Sequence, residues 1–127
     1  MTNEPETPSI TLARKPWPVP KLAPRQNRII VPALLRLIPR ILKARDEAIA
    51  AQESDLTWLG RLVDEPTYDE LATVSYTALT RAHPELKPAE FDDMPIETLE
   101  LIAAIFVIAR QAGLLRPVSH DRGSNNE

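Results

Sequence analysis

Residues 101–109 read LIAAIFVIA, nine apolar residues in succession between Glu100 and Arg110. Met94-Pro95 precedes this stretch at a position where helices tolerate proline, and Gly113 follows it where helices often end. The pattern predicts a helix over 94–113 that is apolar almost all the way round. Full burial of its six largest side chains is worth on the order of 10 kcal/mol, comparable with the net stability of a whole domain. We therefore expect this helix to be covered.

Two arrangements would cover this final helix. It is either a central core helix, as all-round apolar helices usually are, or it faces the core on one side and another protein on the other. One side carries Leu99, Ile102, Ala103 and Phe106. The second arrangement places partner contacts on the opposite side, because three shorter helices need not wrap it completely. The predicted partner-binding residues are Leu101, Ile105, Ile108 and Ala112, with Leu114 and Leu115 at the end.

Upstream, apolar residues recur at helical spacing in several shorter segments. The pattern predicts helices over about 25–52, 55–63 and 67–82, with a further turn at 88–91. A Thr67-x-x-Glu70 capping box is expected to begin the third of these. The predicted fold is all-α, a single small domain of four to five helices with a short extended or β-hairpin N-terminal arm.

The longest of these segments contains two internal prolines. Its predicted inner side carries Leu34, Ile38, Ile41, Arg45, Ala48 and Ile49. Pro32 and Pro39 each lack an amide and clash with the carbonyl four residues earlier. Either Pro32 begins the helix or the helix is kinked. We expect a start near Pro32 and a bend at Pro39.

The N-terminal arm spans residues 9–24 of a helical domain predicted over 9–116. Ile10 and Leu12, then Trp17 and Val19, alternate as in two short extended segments. Prolines at every second position from Pro16 remove hydrogen-bond donors from one edge, so the arm is either an edge ribbon or polyproline-like. Residues 1–8 and 117–127 are polar and are expected to be disordered tails.

Charge is distributed unevenly along the chain. The first 45 residues carry nine basic and two acidic side chains, and the remaining residues carry six basic and sixteen acidic ones. Such asymmetry indicates an electrostatic contact between the halves, between copies, or with a charged partner, or simply charge balance within one fold.

The composition speaks against most catalytic chemistry. Three glycines among 127 residues do not suit phosphate-binding loops, and the absence of cysteine excludes thiol nucleophiles and cysteine zinc sites. Ser119, His120 and Asp121 are triad residue types, but adjacent residues in a tail lack the required geometry. We predict no enzyme activity, no small-molecule substrate and no cofactor or metal. No secretory pattern and no run of about 18 apolar residues occurs, so a cytoplasmic, non-membrane location is expected.

The basic residues of the long helix form a second candidate site. The basic face comprises Arg25, Arg28, Arg36, Arg40 and Lys43. A solvated helix surface explains this row, and a protein contact is the main alternative. Nucleic-acid binding is less expected, because the rest of the chain is acidic.

Four segments together resemble the small tail assembly chaperones of tailed bacteriophages and prophages. They are WPVPKLAPRQNR (17–28), IVPALLRLIPR (30–40), YDELATVSYTALTRAHPEL (68–86) and MPIETLELIAAIFVIARQAGLL (94–115). The likeness is firmest at the Arg-Ala-His-Pro-Glu junction (81–85) and in the last helix. None of these motifs is a catalytic signature.

The resemblance implies a protein that coats the helical tape measure protein, keeps it soluble and helps to recruit tail tube subunits during tail assembly. Binding of a helix through an apolar face is physically compatible with that role, and the opposite charges of the two halves suggest self-association of successive copies. Two alternatives stay open at this point. One is a structural tail or connector component retained in the virion, and the other is a nucleic-acid-binding regulator that uses the basic half.

Overall fold

The computed structural model describes residues 7–114. Within this range the chain forms a two-stranded antiparallel hairpin followed by five helices. The elements are β1 (Ser9–Leu12), β2 (Lys15–Pro18), α1 (Pro24–Ala51), α2 (Asp55–Leu62), α3 (Glu65–Leu79), α4 (Pro88–Asp92) and α5 (Thr98–Gln111). The fold is therefore mostly helical, as predicted, but the hairpin means that it is not purely all-α.

The N-terminal arm is a hairpin and not a polyproline-like segment. Ala13 and Arg14 form its two-residue turn with φ values of 54° and 64°, the left-handed conformation typical of tight hairpin turns. Beyond the strands, the Val19 N–H donates to the carbonyl of Pro8 over 2.8 Å. Pro8 of the predicted tail thus belongs to the hairpin. The remainder of the predicted tails, residues 1–6 and 117–127, lies outside the described residues.

Helix α1 begins earlier than predicted. It starts at Pro24, in the first turn where a missing amide costs nothing, and Pro32 and Pro39 lie inside it. The Gln26 side chain accepts a hydrogen bond from the Ala23 N–H over 3.0 Å and so closes the first turn. The helix matches the predicted periodic range of about 25–52, but the predicted start at Pro32 is wrong because Pro24 offers the same N-terminal geometry eight residues earlier.

The junction between α2 and α3 also differs from the prediction. Asp64 caps α3, because its Oδ1 accepts the Thr67 N–H over 2.9 Å, and Thr67 lies inside the first turn. The predicted Thr67 capping box is therefore wrong. The hydrogen bonds that Thr67 makes hold the pKa of Asp64 below its usual value. Helix α2 matches its predicted range closely and is capped by Ser54.

Helix α5 lies at the centre of the fold. It packs against α1, α3 and β1, and its core-facing residues include Leu101, Ile105 and Ile108. The hairpin contributes Ile10, Leu12 and Val19 to the same core, all of them essentially inaccessible to water. Gly113, with φ of 88°, follows the helix as predicted, but the helix begins at Thr98 and not at Pro95.

Polar contacts at both ends of α5 hold the hairpin on it. At the C-terminal end the buried Gln111 side chain donates to the Val19 carbonyl over 2.8 Å. At the N-terminal end the Glu100 carboxylate accepts the N–H groups of Ala13, Arg14 and Glu97 at 2.9, 3.0 and 2.9 Å. A left-handed backbone costs a non-glycine residue roughly 1–2 kcal/mol, and these bonds offset that cost in the turn.

The Glu100 contacts make part of the fold stability dependent on pH. The Glu97 N–H, together with the amides of Arg14 and Ala13, lowers the pKa of Glu100 from its ordinary 4.5. A lowered pKa stabilises the folded chain fully above pH 4.5, and this contribution is lost as the pH falls through the folded-state value.

We therefore expect Glu100→Gln to lower the melting temperature at neutral pH, because the amide NH2 group cannot accept the Arg14 N–H. The difference from wild type is expected to shrink as the pH is lowered below 4.5, where the wild-type carboxylate also becomes protonated. Thermal melts followed by circular dichroism between pH 3 and 7 measure both effects. A difference that is constant across this range would show that the charge of Glu100 does not matter.

Candidate partner-binding surface

The side of α5 predicted to bind a partner is interior. Leu101, Ile105 and Ile108 are fully buried. Ala112 and Leu114 are half-buried and pack against the core, and Leu115 lies outside the described residues. The prediction that this side of the helix remains exposed is therefore wrong.

The hairpin is a neighbour of α5 that the prediction did not take into account. The prediction considered only whether the other helices could wrap α5, whereas β1 also packs against it. Leu12 and Ile10 supply the additional apolar cover. The side of α5 that stays accessible is the other one, where Leu99 and Ala103 are exposed and Phe106 and Val107 are half-buried.

A longer exposed apolar surface lies on α1. Val31, Leu35, Ile38, Leu42 and Ile49 follow one another at intervals of four, three, four and seven residues, and we call them the α1 stripe. This spacing is the one found along the seam of a coiled coil, with Arg45 at the position between Leu42 and Ile49 where the pattern would place a further apolar residue. Leu35, Leu42 and Ile49 are 62%, 39% and 68% exposed. At 1.5 Å per residue the stripe extends for about 27 Å, which is several turns of a partner helix.

The α1 stripe corrects the predicted inner side of this helix. Leu34, Ile41 and Ala48 are buried as expected, together with Ile30 and Leu37. Ile38 is only half-buried, and Arg45 and Ile49 are exposed. The buried side is rotated from the predicted one, so apolar side chains extend beyond the part of the helix that the core covers.

The two prolines inside α1 alter the backbone next to the stripe. Pro32 and Pro39 are exposed and cannot donate to the carbonyls of Arg28 and Leu35. Those carbonyls lie on the solvent-facing side of the helix, where water or a donor from a partner can satisfy them. The surface thus combines apolar side chains with backbone acceptors.

All five residues of the basic face are exposed, and two of them also bond to neighbouring elements. Arg36 donates to the Glu70 carboxylate of α3 through Nε and Nη2. Arg40 donates from Nη2 to the Thr67 hydroxyl over 3.0 Å and to the Leu62 carbonyl over 3.3 Å. Both arginines therefore join α1 to the α2–α3 corner. Arg25, Arg28 and Lys43 remain exposed at separate points along α1.

Other charged and aromatic side chains of the described residues contact one another in pairs. The His83 ring lies edge-on to Trp17 with centroids 5.4 Å apart, and its Nδ1 is 3.5 Å from the Glu85 carboxylate. Arg61 on α2 forms two hydrogen bonds with Glu53, which lower the pKa of that carboxyl group. Within residues 7–114, no three His, Cys, Asp or Glu side chains come together to hold a metal ion. Ser119, His120 and Asp121 fall outside this range.

Comparisons of this chain with protein families, with curated proteins and with solved structures give no match. In the part of the chain that the structure describes, no helix is long and apolar enough to cross a membrane.

Sequence reasoning missed the α1 stripe although its signal was present. The heptad-like spacing from Val31 to Ile49 is visible in the sequence. Leu34 and Ile41 lie close to this row on the helix surface, so a single broad apolar arc was assigned to one buried side. Two apolar rows, each with steps of three and four residues, lie next to each other on α1: one runs from Ile30 to Ile41 and the other from Val31 to Ile49.

The burial of α5 predicts that Ile105→Asp strongly destabilises the chain. A carboxylate at this fully buried site has neither water nor a cation to stabilise it, and we expect a loss of at least about 3 kcal/mol in the free energy of unfolding. Urea denaturation followed by circular dichroism measures this loss. Leu56→Asp is the matched control, since Leu56 is 85% exposed and its replacement should change stability by less than about 1 kcal/mol.

Proposed function

We propose that this chain is a tail assembly chaperone that covers the apolar seam of the helical tape measure protein with its α1 stripe and helps to recruit tail tube subunits. The observation that carries the proposal is the α1 stripe, in which Leu35, Leu42 and Ile49 are exposed and Val31 and Ile38 are half-buried. The identification of the partner rests on the resemblance of segments 17–28, 30–40, 68–86 and 94–115 to that chaperone family.

The chemistry of the α1 stripe favours a helical partner. Large side chains at intervals of three and four present ridges that fit the grooves of another helix. Covering these side chains removes apolar area from water on both molecules, which is the main driving force for such a contact. A protein whose own helices expose an apolar seam would be kept soluble by it.

The division between buried and exposed apolar surface also supports a binding role. The core does not use Leu35, Leu42 or Ile49, because α1 buries Ile30, Leu34, Leu37 and Ile41 on another side, and Ile38 is the stripe residue that packs against the core. Removing apolar character from the stripe should therefore cost binding and little stability. That separation makes the proposal testable.

Co-expression of the chain with a tape measure protein encoded in the same genome tests the proposal. We expect the wild-type chain to keep the tape measure protein soluble and to co-purify with it. The double variant Leu35→Asp/Leu42→Asp should reduce the co-purified amount by at least about tenfold, because two carboxylates would have to be desolvated in the contact.

Leu56→Asp is again the matched control, because it introduces the same charge on an exposed leucine of α2 that is not part of the stripe. Circular dichroism of each variant verifies that the fold is retained. Undiminished co-purification of the double variant, or a wild-type chain that leaves the tape measure protein insoluble, would contradict the proposal. Mass spectrometry of finished particles distinguishes a chaperone, which is absent from them, from a retained tail component.

A further inference from the structure

One edge of the N-terminal hairpin is open. Ser9 and Thr11 of β1 face Pro18 and Pro16 of β2. In an antiparallel hairpin, opposite residues alternate between hydrogen-bonded and non-hydrogen-bonded pairs. The two pairs that contain proline are the non-hydrogen-bonded ones, because proline has no N–H to donate. The backbone N–H and C=O groups of Ser9 and Thr11 therefore point away from β2. Within residues 7–114, no further strand pairs with them.

The open edge of β1 borders an apolar groove on α5. The groove has a volume of about 340 Å³, and Ser9, Thr11, Leu99, Ala103 and Val107 are among its lining residues. We call it the β1/α5 groove. The three α5 residues recur every fourth position, so they form one row on the accessible side of the helix, and Leu99 is 43% exposed.

We propose that a second copy of this chain occupies the β1/α5 groove, with β1 pairing antiparallel to the other β1 and α5 packing antiparallel on the other α5. Unpaired backbone groups of β1 and an uncovered apolar row of α5 lie side by side at this groove. A second copy related by a twofold axis through the groove pairs the strand and covers the helix row with its own helix, whereas an added extended peptide brings a strand without a helix. The result is a four-stranded sheet across two α5 helices.

The register of the hairpin defines how the strands meet. Since Ser9 and Thr11 carry the outward backbone groups, a twofold axis at Ile10 pairs Ser9 of each copy with Thr11 of the other. One hydrogen-bonded residue pair therefore forms on each side of this axis, two pairs in all. The β2 edge cannot take this role because Pro16 and Pro18 lack the donors.

The polarity of α5 fits the same arrangement. The hairpin turn lies at the N-terminal end of α5, where the Ala13 N–H donates to Glu100, so β1 and α5 run in opposite directions. A single twofold axis can therefore place β1 antiparallel to the other β1 and α5 antiparallel to the other α5. Arg110 is exposed near the C-terminal end of the row formed by Leu99, Ala103 and Val107. Antiparallel helices bring Arg110 of each copy towards the N-terminal end of the other α5, where the exposed Glu97 carboxylate lies 3.6 Å from Arg14 Nη2 of its own chain and can accept a second cation. Ala103, small and central in the row, allows the helices to approach closely.

Sedimentation equilibrium of the full chain tests this dimer. We expect a concentration-dependent dimer for the wild type and a dissociation constant at least about tenfold weaker for Ala103→Arg, which places a long cation in the helix contact. Thr11→Pro should have the same effect, because it removes an outward N–H that the hairpin itself does not use. Circular dichroism verifies that both variants fold.

Control variants separate this inference from the proposed function. Leu56→Arg, on an exposed site of α2, should leave the dimer unchanged, as should Leu35→Asp/Leu42→Asp on the α1 stripe. Conversely, Ala103→Arg should still keep the tape measure protein soluble. Loss of the dimer and loss of tape measure binding are thus measured by different variants.

Hydrogen exchange of the Ser9 and Thr11 amides distinguishes the possible occupants of the groove. Protection that rises with chain concentration supports pairing with a second copy. Protection in a monomer at all concentrations would show that the chain's own terminal residues cover the edge, and protection only after addition of another protein would assign the groove to that protein. Either of the latter results, a wild-type chain that stays monomeric, or a dimer that survives both Ala103→Arg and Thr11→Pro, overturns the inference.

Discussion

Burial of the apolar surface of α5 is the constraint on which the rest of the structure depends. Its side chains are worth on the order of 10 kcal/mol when covered, as much as the net stability of a domain of this size. Helices α1 and α3 cover part of this surface, and the hairpin adds Ile10 and Leu12. Burial of apolar side chains brings the hairpin and α5 together. The hydrogen bonds of Glu100 and Gln111 then fix the orientation of the hairpin at the two ends of α5.

This arrangement leaves apolar surface exposed on α1 and on one side of α5. The core uses only one part of the broad apolar arc of α1, and the row from Val31 to Ile49 remains accessible. On α5 the hairpin stops short of Leu99 and Ala103. The two surfaces differ in character: the first is a helical seam, and the second lies beside an unpaired strand edge. A helical partner suits the first, and a copy of the same strand and helix suits the second.

The corrections to the predictions share one origin. The sequence offers two prolines that can begin α1 and two side chains that can cap α3, and local chemistry alone does not choose between Pro24 and Pro32 or between Asp64 and Thr67. The same ambiguity affects α5, which is apolar on both sides, so periodicity does not identify the buried one. For α5, the side that is buried depends on segments distant in the sequence, such as the hairpin, where the Val19 carbonyl accepts a hydrogen bond from Gln111.

The helical character, the approximate extent of each helix, the need to cover α5 and the two-segment arm could all be predicted from the amino-acid sequence, because they follow from local sterics, proline and glycine positions, and side-chain spacing. Which sides of α1 and α5 face water depends on tertiary packing. An apolar side chain has no directional preference for a particular neighbour, so its burial depends on which element arrives to cover it. Here the hairpin, α1 and α3 all pack against α5, whose Leu101, Ile105 and Ile108 are buried, while Leu99 of α5 and Leu35 of α1 face solvent.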